Sequence, residues 1–515
     1  MAAPDGNAVD WFVDRHVRDG DASGIAFQDP ARTLTRGDLA SGTARFADAL
    51  AQTGIGRERR LLMLMLDTVD FPIVFWGALR AGVIPVPVNT LLTAEQIRYM
   101  LDDSRAEAVA ISAPLLPGFL SVLRDSPLVR RIIVAGVTEL DDLRIVDLDQ
   151  FLTAGDPATP PVAVSPDETA FWLYSSGSTG APKGVRHVHG SPRATADTYG
   201  AQVLGITPND VIFSAAKAFH AYGLGNAMTF PMAVGATTVL LPGRPTQDAV
   251  LDVMTRYRPT IFAGVPTLYA ALLASPMIGP KAGSDRLRRC ISAGEALPED
   301  VGQRWSQIVG VDILDGIGST EMLHIFVSNV PADIRYGTSG KPVPGYDAMV
   351  VDEHDRPVAH GASGELIVKG PSAADGYWNQ RDKSRRTFRG EWTYTGDTYT
   401  RDADGYFRFL GRSDEMLKVS GVWVSPFEVE EALIAHPAVL EAAVVGHEDQ
   451  DGLTKPRAFV VLIEPSYDPE ALSEELKTHV KDRIGVWKYP RWIEFVDGLP
   501  KTATGKIQRF RLRDG

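Results

Sequence analysis

The chain has 515 residues, too many for one hydrophobic core, so two or more domains are expected. Hydrophobic residues make up 44% and charged residues 23%, ordinary globular proportions, and the net charge of −13 argues against nucleic acid or an anionic membrane as the main partner. Cys290 is the only cysteine, which excludes an intrachain disulfide and cysteine-rich zinc sites and suits a reducing cytoplasm.

The N-terminal Met-Ala-Ala-Pro-Asp-Gly has no basic region followed by an apolar core, so no secretory signal is expected. Residues 61–88 are the most apolar region. Asp67, Asp70 and Arg80 interrupt it well short of the ~20 apolar residues a spanning helix needs, so it reads as soluble core. Within it, residues 61–66 predict a buried strand and 71–79 a helix stopping at Gly82. Residues 84–88 alternate Pro and aliphatic side chains, as an edge strand or extended segment does. Thr93-Ala-Glu-Gln96 is a capping box that starts a helix to about Met100. Residues 108–111 and 132–134 predict further strands. The alternation argues for an α/β sheet with helices on its faces.

An apolar strand at 170–173 leads into Tyr174-Ser-Ser-Gly-Ser-Thr-Gly-Ala-Pro-Lys-Gly184. Glycines let the backbone turn several N–H groups toward one anion; the hydroxyls add donors and Lys183 adds charge, which is what a nucleotide's phosphates require. A flexible linker would seldom sit between an apolar strand and a Pro-Lys-Gly ending. The run is not a Walker loop, because Gly184 and not a hydroxyl follows Lys183. His187 and His189 would share one face of a strand, but two histidines are too few for zinc.

Residues 212–214 predict a strand leading to His220 and Tyr222 at a loop or helix start. Residues 260–264 predict another, with Pro266 in the first turn of a helix. Arg288 and Arg289 read as a basic helix end before Ile291-Ser-Ala-Gly-Glu-Ala-Leu-Pro298. A strand at 311–314 runs into Asp315-Gly-Ile-Gly-Ser-Thr-Glu321. Ligands of open α/β sheets sit at the carboxyl ends of strands, so these segments could converge on one crevice. Glu321 stands where a dinucleotide fingerprint has its third glycine, and no Gly-x-Ser-x-Gly elbow occurs, which counts against a dehydrogenase and an α/β-hydrolase.

Residues 394–411 read as polar, turn-rich ground between apolar segments. A small terminal unit follows Arg412-Ser-Asp-Glu415. In it, Ser425-Pro-Phe-Glu428 starts a helix ending at His436-Pro437; 442–445, 458–463 and 492–496 predict strands; and 469–484 predicts a helix. About a hundred residues in this order make an α+β domain. The last loop, Pro500-Lys-Thr-Ala-Thr-Gly-Lys506, again sets Gly beside Lys.

With these motifs in order, the chain resembles the adenylate-forming superfamily over nearly its full length, and within it the aryl-CoA ligases of the benzoate–CoA ligase group. The segments that carry the finer likeness are Phe213-Ser-Ala-Ala-Lys217, Tyr222-Gly-Leu-Gly-Asn226, 316–325 and 417–426. The resemblance implies an α/β fold: a large N-terminal multi-subdomain α/β domain over 1–411, a hinge at 412–414, and a small mobile α+β domain over 415–515. It implies ATP, Mg²⁺ and coenzyme A, an aromatic carboxylate substrate, and a cytoplasmic monomer or homodimer with no nucleic-acid or membrane partner.

Residue by residue, the resemblance implies that Ser175, Ser176, Gly177, Ser178, Thr179, Gly180 and Lys183 hold the β- and γ-phosphates. Thr320 would donate to a phosphate and Glu321 would bind Mg²⁺, although a Glu at a helix start can also serve the helix dipole. Gly294, Glu295 and Ala296 would line the adenine, with Asp315, Gly316 and Ile317 beside it; the family usually carries Tyr where Ile317 stands, so an aliphatic face replaces an aromatic one. Asp397 and Arg412 would bind the ribose. Asp414 matches the hinge, Lys506 serves the first half-reaction, and the 418–422 face, including Lys418 and Gly421, serves the second. His220 matches a gate to the CoA tunnel. Ala221, Tyr222, Gly318, His324 and Ile325 would shape the aryl pocket, where Tyr222 or His324 could read a ring substituent. Loading of a carrier-protein phosphopantetheine is the alternative to CoA ligation, and a non-catalytic nucleotide-binding regulator is the alternative to an enzyme.

Overall fold

The computed structural model describes residues 6–513 except 138–141, 178–179, 414, 420–421, 451–452, 465–467, 487 and 502–506. A nine-stranded sheet dominates, ordered Lys341–Pro342, Ile325–Ser328, Ile313–Gly318, Arg289–Ser292, Ile261–Gly264, Val211–Ser214, Thr237–Val239, Ile25–Gln28, Thr33–Thr35. Its six central strands run parallel and only its margins are antiparallel. Parallel strands are covered on both faces, which is why they are short aliphatic runs with every side chain of Ile261–Gly264 buried. The register Ser214↔Ala263, Gly264↔Ser292 and Ser292↔Asp315 brings these strands to the same edge of the sheet.

A second, wholly parallel sheet contains Ile84–Pro87, Arg60–Leu64, Ala108–Ser112, Arg131–Ala135 and Ile145–Asp147 in that order. Ile84–Pro87 is an edge strand, where prolines cost no ladder bond on the outer side. The helix Asp70–Arg80 is buried all round. A Cβ at Gly77 would come within 2.7 Å of Phe46 Cβ, so this glycine lets the helix Arg36–Gln52 approach closely. Arg80 is buried but paired with Asp14, and it also donates to Thr43 Oγ1 at 3.2 Å and to the Thr159 carbonyl at 3.0 Å. Among the described residues no helix is long and apolar enough to cross a membrane.

The expectation of turn-rich ground at 394–411 is overturned. Trp392–Arg401 and Phe407–Arg412 form an antiparallel hairpin, part of a five-stranded sheet with Asp347–Val351, Ser363–Lys369 and Phe388–Arg389. The polar residues were read by type, but inward Tyr399 and Phe407 make the segment a strand pair whose turn is confined to 402–405. Likewise the strand expected to end at Leu314 continues to Gly318, because 316–318 pair with Ile325–Ser328. Arg288 ends no helix; it lies before the strand Arg289–Ser292 and ion-pairs with Asp210 at 2.5 Å. On that strand Cys290 is fully buried, and burial pushes its thiol up to about 12.

The C-terminal unit pairs Leu417–Val419 with Val422–Val424, and sets Thr454–Leu462 between antiparallel Val439–Glu448 and parallel Trp492–Phe495. Helices Pro426–Ile434 and Pro469–Ile484 cover these strands through Val429, Leu433, Leu472, Leu476 and Val480. Ser425 caps its helix by accepting from Glu428 N at 3.0 Å, but the Glu428 carboxylate does not reach back; it takes Lys488 Nζ at 2.6 and 2.7 Å. Ser425→Ala should therefore cost about 1 kcal/mol, read as faster amide hydrogen exchange confined to residues 426–434 with the large unit unchanged.

Candidate active site

The glycine-rich run is not a free loop. It is the tip of an antiparallel hairpin, Thr169–Gly177 with Gly180–Val188, whose register sets Ser175 opposite Lys183 and Gly177 opposite Gly180. Its base is pinned from three sides. Tyr174 donates its hydroxyl to Asp103 Oδ2 at 2.6 Å, Tyr99 donates to the Pro182 carbonyl at 3.1 Å, and Trp378 N donates to the Gly184 carbonyl at 2.8 Å. Ser178 and Thr179 lie outside the described residues, and Ser176 is placed by its backbone only.

Beside the hairpin, Glu321 Oε1 accepts from the Tyr377 hydroxyl at 2.8 Å and from Ser175 Oγ at 3.4 Å. Lys183 Nζ lies 4.6 Å from the centroid of the Tyr377 ring. Burial lowers the Lys183 pKa and the Glu321 charge opposes that shift, while burial and Glu321 raise the Tyr377 phenol, so it stays a donor. Thr320 is fixed through its carbonyl, which lies 2.8 Å from His187 Nε2. His187 and His189 are both buried, and burial lowers each to about 4. Among the described residues no three His, Cys, Asp or Glu side chains are grouped to hold a metal. A hard cation that keeps waters and binds through one or two carboxylates plus substrate phosphates fits Glu321 alone beside an anion-holding hairpin.

Further along the same edge, Gly294 turns with φ +98° after the strand Arg289–Ser292. Asp315 is buried on the neighbouring strand. One of its oxygens accepts weakly from Leu297 N at 3.5 Å; the other, Oδ1, has no hydrogen-bond partner among the described residues, and burial raises the carboxyl well above the usual range. A Cβ on Gly316 would meet the Val327 carbonyl at 2.8 Å. Ile317 is half-buried. Asp397 and Arg412 face each other across their hairpin, with Arg412 Nη1 donating to Asp397 Oδ1 at 2.9 Å and to the Thr395 carbonyl at 3.0 Å. The Glu295 side chain, beside Ala296, reaches the C-terminal unit: its Oε1 accepts from Ile507 N at 3.1 Å.

The last cluster is aromatic. His220 precedes the short helix Ala221–Leu224, its ring 4.5 Å from Phe219. Tyr222 donates its hydroxyl to the Gly264 and Ile291 carbonyls, each at 3.0 Å, at the ends of neighbouring strands. The proton of that hydroxyl is thus committed to the strand ends, and only its acceptor capacity is left. His324 packs among Tyr199, Tyr222 and Phe230, and burial holds it neutral at about 3. Its Nε2 lies 3.3 Å from the Tyr222 carbonyl, which also accepts from Asn226 Nδ2 at 2.9 Å, while Nδ1 is buried without a partner among the described residues. Glycines make room for it: a Cβ on Gly225 would meet His324 Cδ2 at 2.3 Å, and one on Gly318 the His324 carbonyl at 2.6 Å. Leu323 takes a left-handed φ of 66°, backbone strain at the pocket wall. Ile325 is buried beside it.

The structure thus brings Ser175, Lys183, Thr320 and Glu321 together, and packs Tyr222, Gly318 and Ile325 close about His324. Lys418 lies on a strand placed by its backbone only; Asp414, Gly421 and Lys506 lie outside the described residues. Sequence reasoning missed Tyr377, Tyr199 and Asn226. Only Asn226 carried a signal, in the run Tyr222-Gly-Leu-Gly-Asn226.

A glycine-rich hairpin with a lysine, a carboxylate beside it, a central parallel sheet and a small C-terminal unit together match the adenylate-forming enzymes. The chain belongs to the AMP-binding enzyme family: the AMP-binding enzyme model matches residues 14–378 and the AMP-binding enzyme C-terminal domain residues 428–506. It is 52% identical over 515 residues to a 4-hydroxybenzoate–CoA/benzoate–CoA ligase of Rhodopseudomonas palustris, covering 100% of this chain and 95% of the relative. It is 53% identical over 510 residues to a benzoate–CoA ligase of Thauera aromatica, covering 98% and 95%. A solved benzoate CoA ligase from Burkholderia xenovorans superposes with a TM-score of 0.91 at 49% identity, covering 98% of this chain and 99% of that one.

The buried histidines give a pH prediction. Folded His187, His189 and His324 sit below the unfolded value of about 6.5. Between that value and their folded values the unfolded chain binds protons that the native one refuses, so stability falls on acidification. Each contributes at most about 1.4 kcal/mol per pH unit. Denaturant midpoints should drop from pH 6.5 toward pH 4, with these three imidazoles still neutral at pH 5 in ¹⁵N spectra of histidine-labelled protein.

Proposed function

We propose that this protein is an AMP-forming aryl-CoA ligase that activates benzoate or a hydroxybenzoate as aryl-AMP and passes the acyl group to CoA. The observation that carries this reading is the meeting of the hairpin bearing Ser175 and Lys183 with Glu321, and of both with the buried aromatic cluster around His324, joined by the single segment 315–325. The named relatives are CoA ligases and lend nothing to carrier-protein loading.

In the first half-reaction a carboxylate oxygen attacks the α-phosphorus, a P–O bond forms, and pyrophosphate leaves. Backbone N–H groups of the 175–180 hairpin and Lys183 would hold the β- and γ-phosphates, with Thr320 donating to a phosphate. Mg²⁺, when bound at Glu321, would neutralise phosphate charge. The orphaned Asp315 Oδ1 suits the adenine amino group as an acceptor. The adenine contact of 294–296 falls to backbone, since Glu295 turns to Ile507. Arg412 and Asp397 would meet the ribose hydroxyls, and Lys506 would bridge the carboxylate and the α-phosphate. In the second half-reaction the CoA thiol attacks the aryl carbonyl, a C–S bond forms, and AMP leaves. His220 would gate the thiol's approach, and the 418–422 face would replace the Lys506 loop after rotation about Asp414. With Nε2–H given to the Tyr222 carbonyl, His324 Nδ1 is an acceptor that suits a ring hydroxyl or amino group. Wild-type protein should release pyrophosphate with benzoate and form benzoyl-CoA; efficient turnover of palmitate would overturn the assignment.

Lys506→Ala should lose benzoyl-AMP formation by two to three orders of magnitude, about 3–4 kcal/mol of transition-state stabilisation. It should still convert supplied benzoyl-AMP and CoA at nearly the normal rate. Equal loss of both half-reactions would make the lysine structural.

The Glu295–Ile507 contact seats the residue next to Lys506 on the large unit. A hydrogen bond to a charged group contributes about 1.5–3 kcal/mol. Glu295→Ala should therefore slow benzoyl-AMP formation roughly tenfold or more and spare the thioester step, while Glu295→Gln, which keeps a neutral acceptor, should slow it by less. Single-turnover rates of each half-reaction measure both.

A further inference from the structure

The segment 374–378 lies between the phosphate hairpin and the Thr320–Glu321 turn and is bonded to both. Ala374 N donates to the Glu321 carbonyl at 2.8 Å, Asp375 N to the Arg186 carbonyl at 3.0 Å, and Trp378 N to the Gly184 carbonyl at 2.8 Å. The two-residue strand Gly376–Tyr377 pairs antiparallel with the hairpin, Tyr377 opposite Val185. Tyr377 N is held further by donating to Ser384 Oγ at 3.0 Å, and its ring packs 5.4 Å from Phe388. A phenol fixed by so many backbone bonds has little freedom to turn away.

Two contacts leave this ring in opposite senses. Its hydroxyl donates to Glu321 Oε1 at 2.8 Å, and its face lies 4.6 Å from Lys183 Nζ. Glu321 Oε1 also takes Ser175 Oγ at 3.4 Å. The carboxylate is thus oriented through Oε1. We infer that Tyr377 is a positioning residue of the nucleotide site, whose hydroxyl sets the Glu321 carboxylate for a divalent cation while its ring face holds the Lys183 ammonium over the phosphates. The inference rests on the proposed role of Glu321. Partners that orient a ligating carboxylate typically change metal affinity 10–100-fold when removed.

The test separates the two contacts. ATP binding to the full-length protein is followed by calorimetry, without aryl acid, across a Mg²⁺ series, for wild type, Tyr377→Phe, Tyr377→Leu and Glu321→Gln. Tyr377→Phe keeps the ring and should raise the Mg²⁺ concentration for half-maximal ATP binding about tenfold, leaving Mg²⁺-free ATP binding and the KM for benzoate unchanged. Tyr377→Leu should weaken Mg²⁺-free ATP binding as well, with the melting temperature of each variant checking the fold. Glu321→Gln should shift the Mg²⁺ dependence at least as far as Tyr377→Phe. If Glu321→Gln shifts it and Tyr377→Phe does not, the inference fails while the role of Glu321 stands. If neither shifts it, both fail. Benzoyl-AMP formation by the wild type tests the enzymatic reading separately.

Discussion

Parallel pairing in register is the constraint on which the rest of this molecule depends. Once Val211–Ser214, Ile261–Gly264, Arg289–Ser292 and Ile313–Gly318 run side by side, every chain reversal after a strand must occur at the same edge. Segments that begin at 215, 265, 293 and 319 then have no choice but to be neighbours. Tyr222 shows how literal this is: its hydroxyl donates to the carbonyls of Gly264 and Ile291, bracing the aromatic cluster against two strand ends. The antiparallel margin matters equally. Because 316–318 pair with Ile325–Ser328, the turn bearing Thr320, Glu321 and His324 is a short hairpin, and the two chemical functions of the site share one rigid connection.

Electrostatics in the site run against the bulk of the chain. A net charge of −13 has to be set aside locally for a polyanion to bind. Lys183 and Arg412 supply positive charge, each steadied by a carboxylate, Glu321 and Asp397. Asp315 is handled differently: burial raises its carboxyl well above the usual range, against the pull of the backbone N–H groups around it. The aromatic pocket goes further and excludes charge, with His324 kept neutral by burial among Tyr199, Tyr222 and Phe230.

Much of this was legible in the sequence wherever local chemistry decides structure. The cap at Ser425, the capping box at Thr93–Gln96, the helix Pro469–Ile484 and the hairpin glycines each need only near neighbours. Residues 394–411 misled because their polar content masks a pattern in which Tyr399, Tyr406 and Phe407 turn inward. Tyr377 was invisible for another reason: it meets Glu321 across 56 residues through a strand of two, too short to leave a pattern. The direction of the Glu295 carboxylate was equally hidden, since its partner is a backbone N–H some 212 positions away. Residue type showed which groups matter at the phosphate hairpin; only tertiary pairing shows which of them are already engaged.

The solitary cysteine has a practical corollary. Cys290 is sealed inside the central sheet with its thiol pushed up to about 12, so it presents no thiolate to solvent at neutral pH. A protein proposed to handle the thiol of CoA therefore carries no surface sulfur of its own that could form a mixed disulfide with that substrate. The chain is also a ready-made background for site-directed labelling. One cysteine introduced on each unit would carry a dye or spin pair without first removing Cys290, and the distance between the labels would test whether the two units rotate.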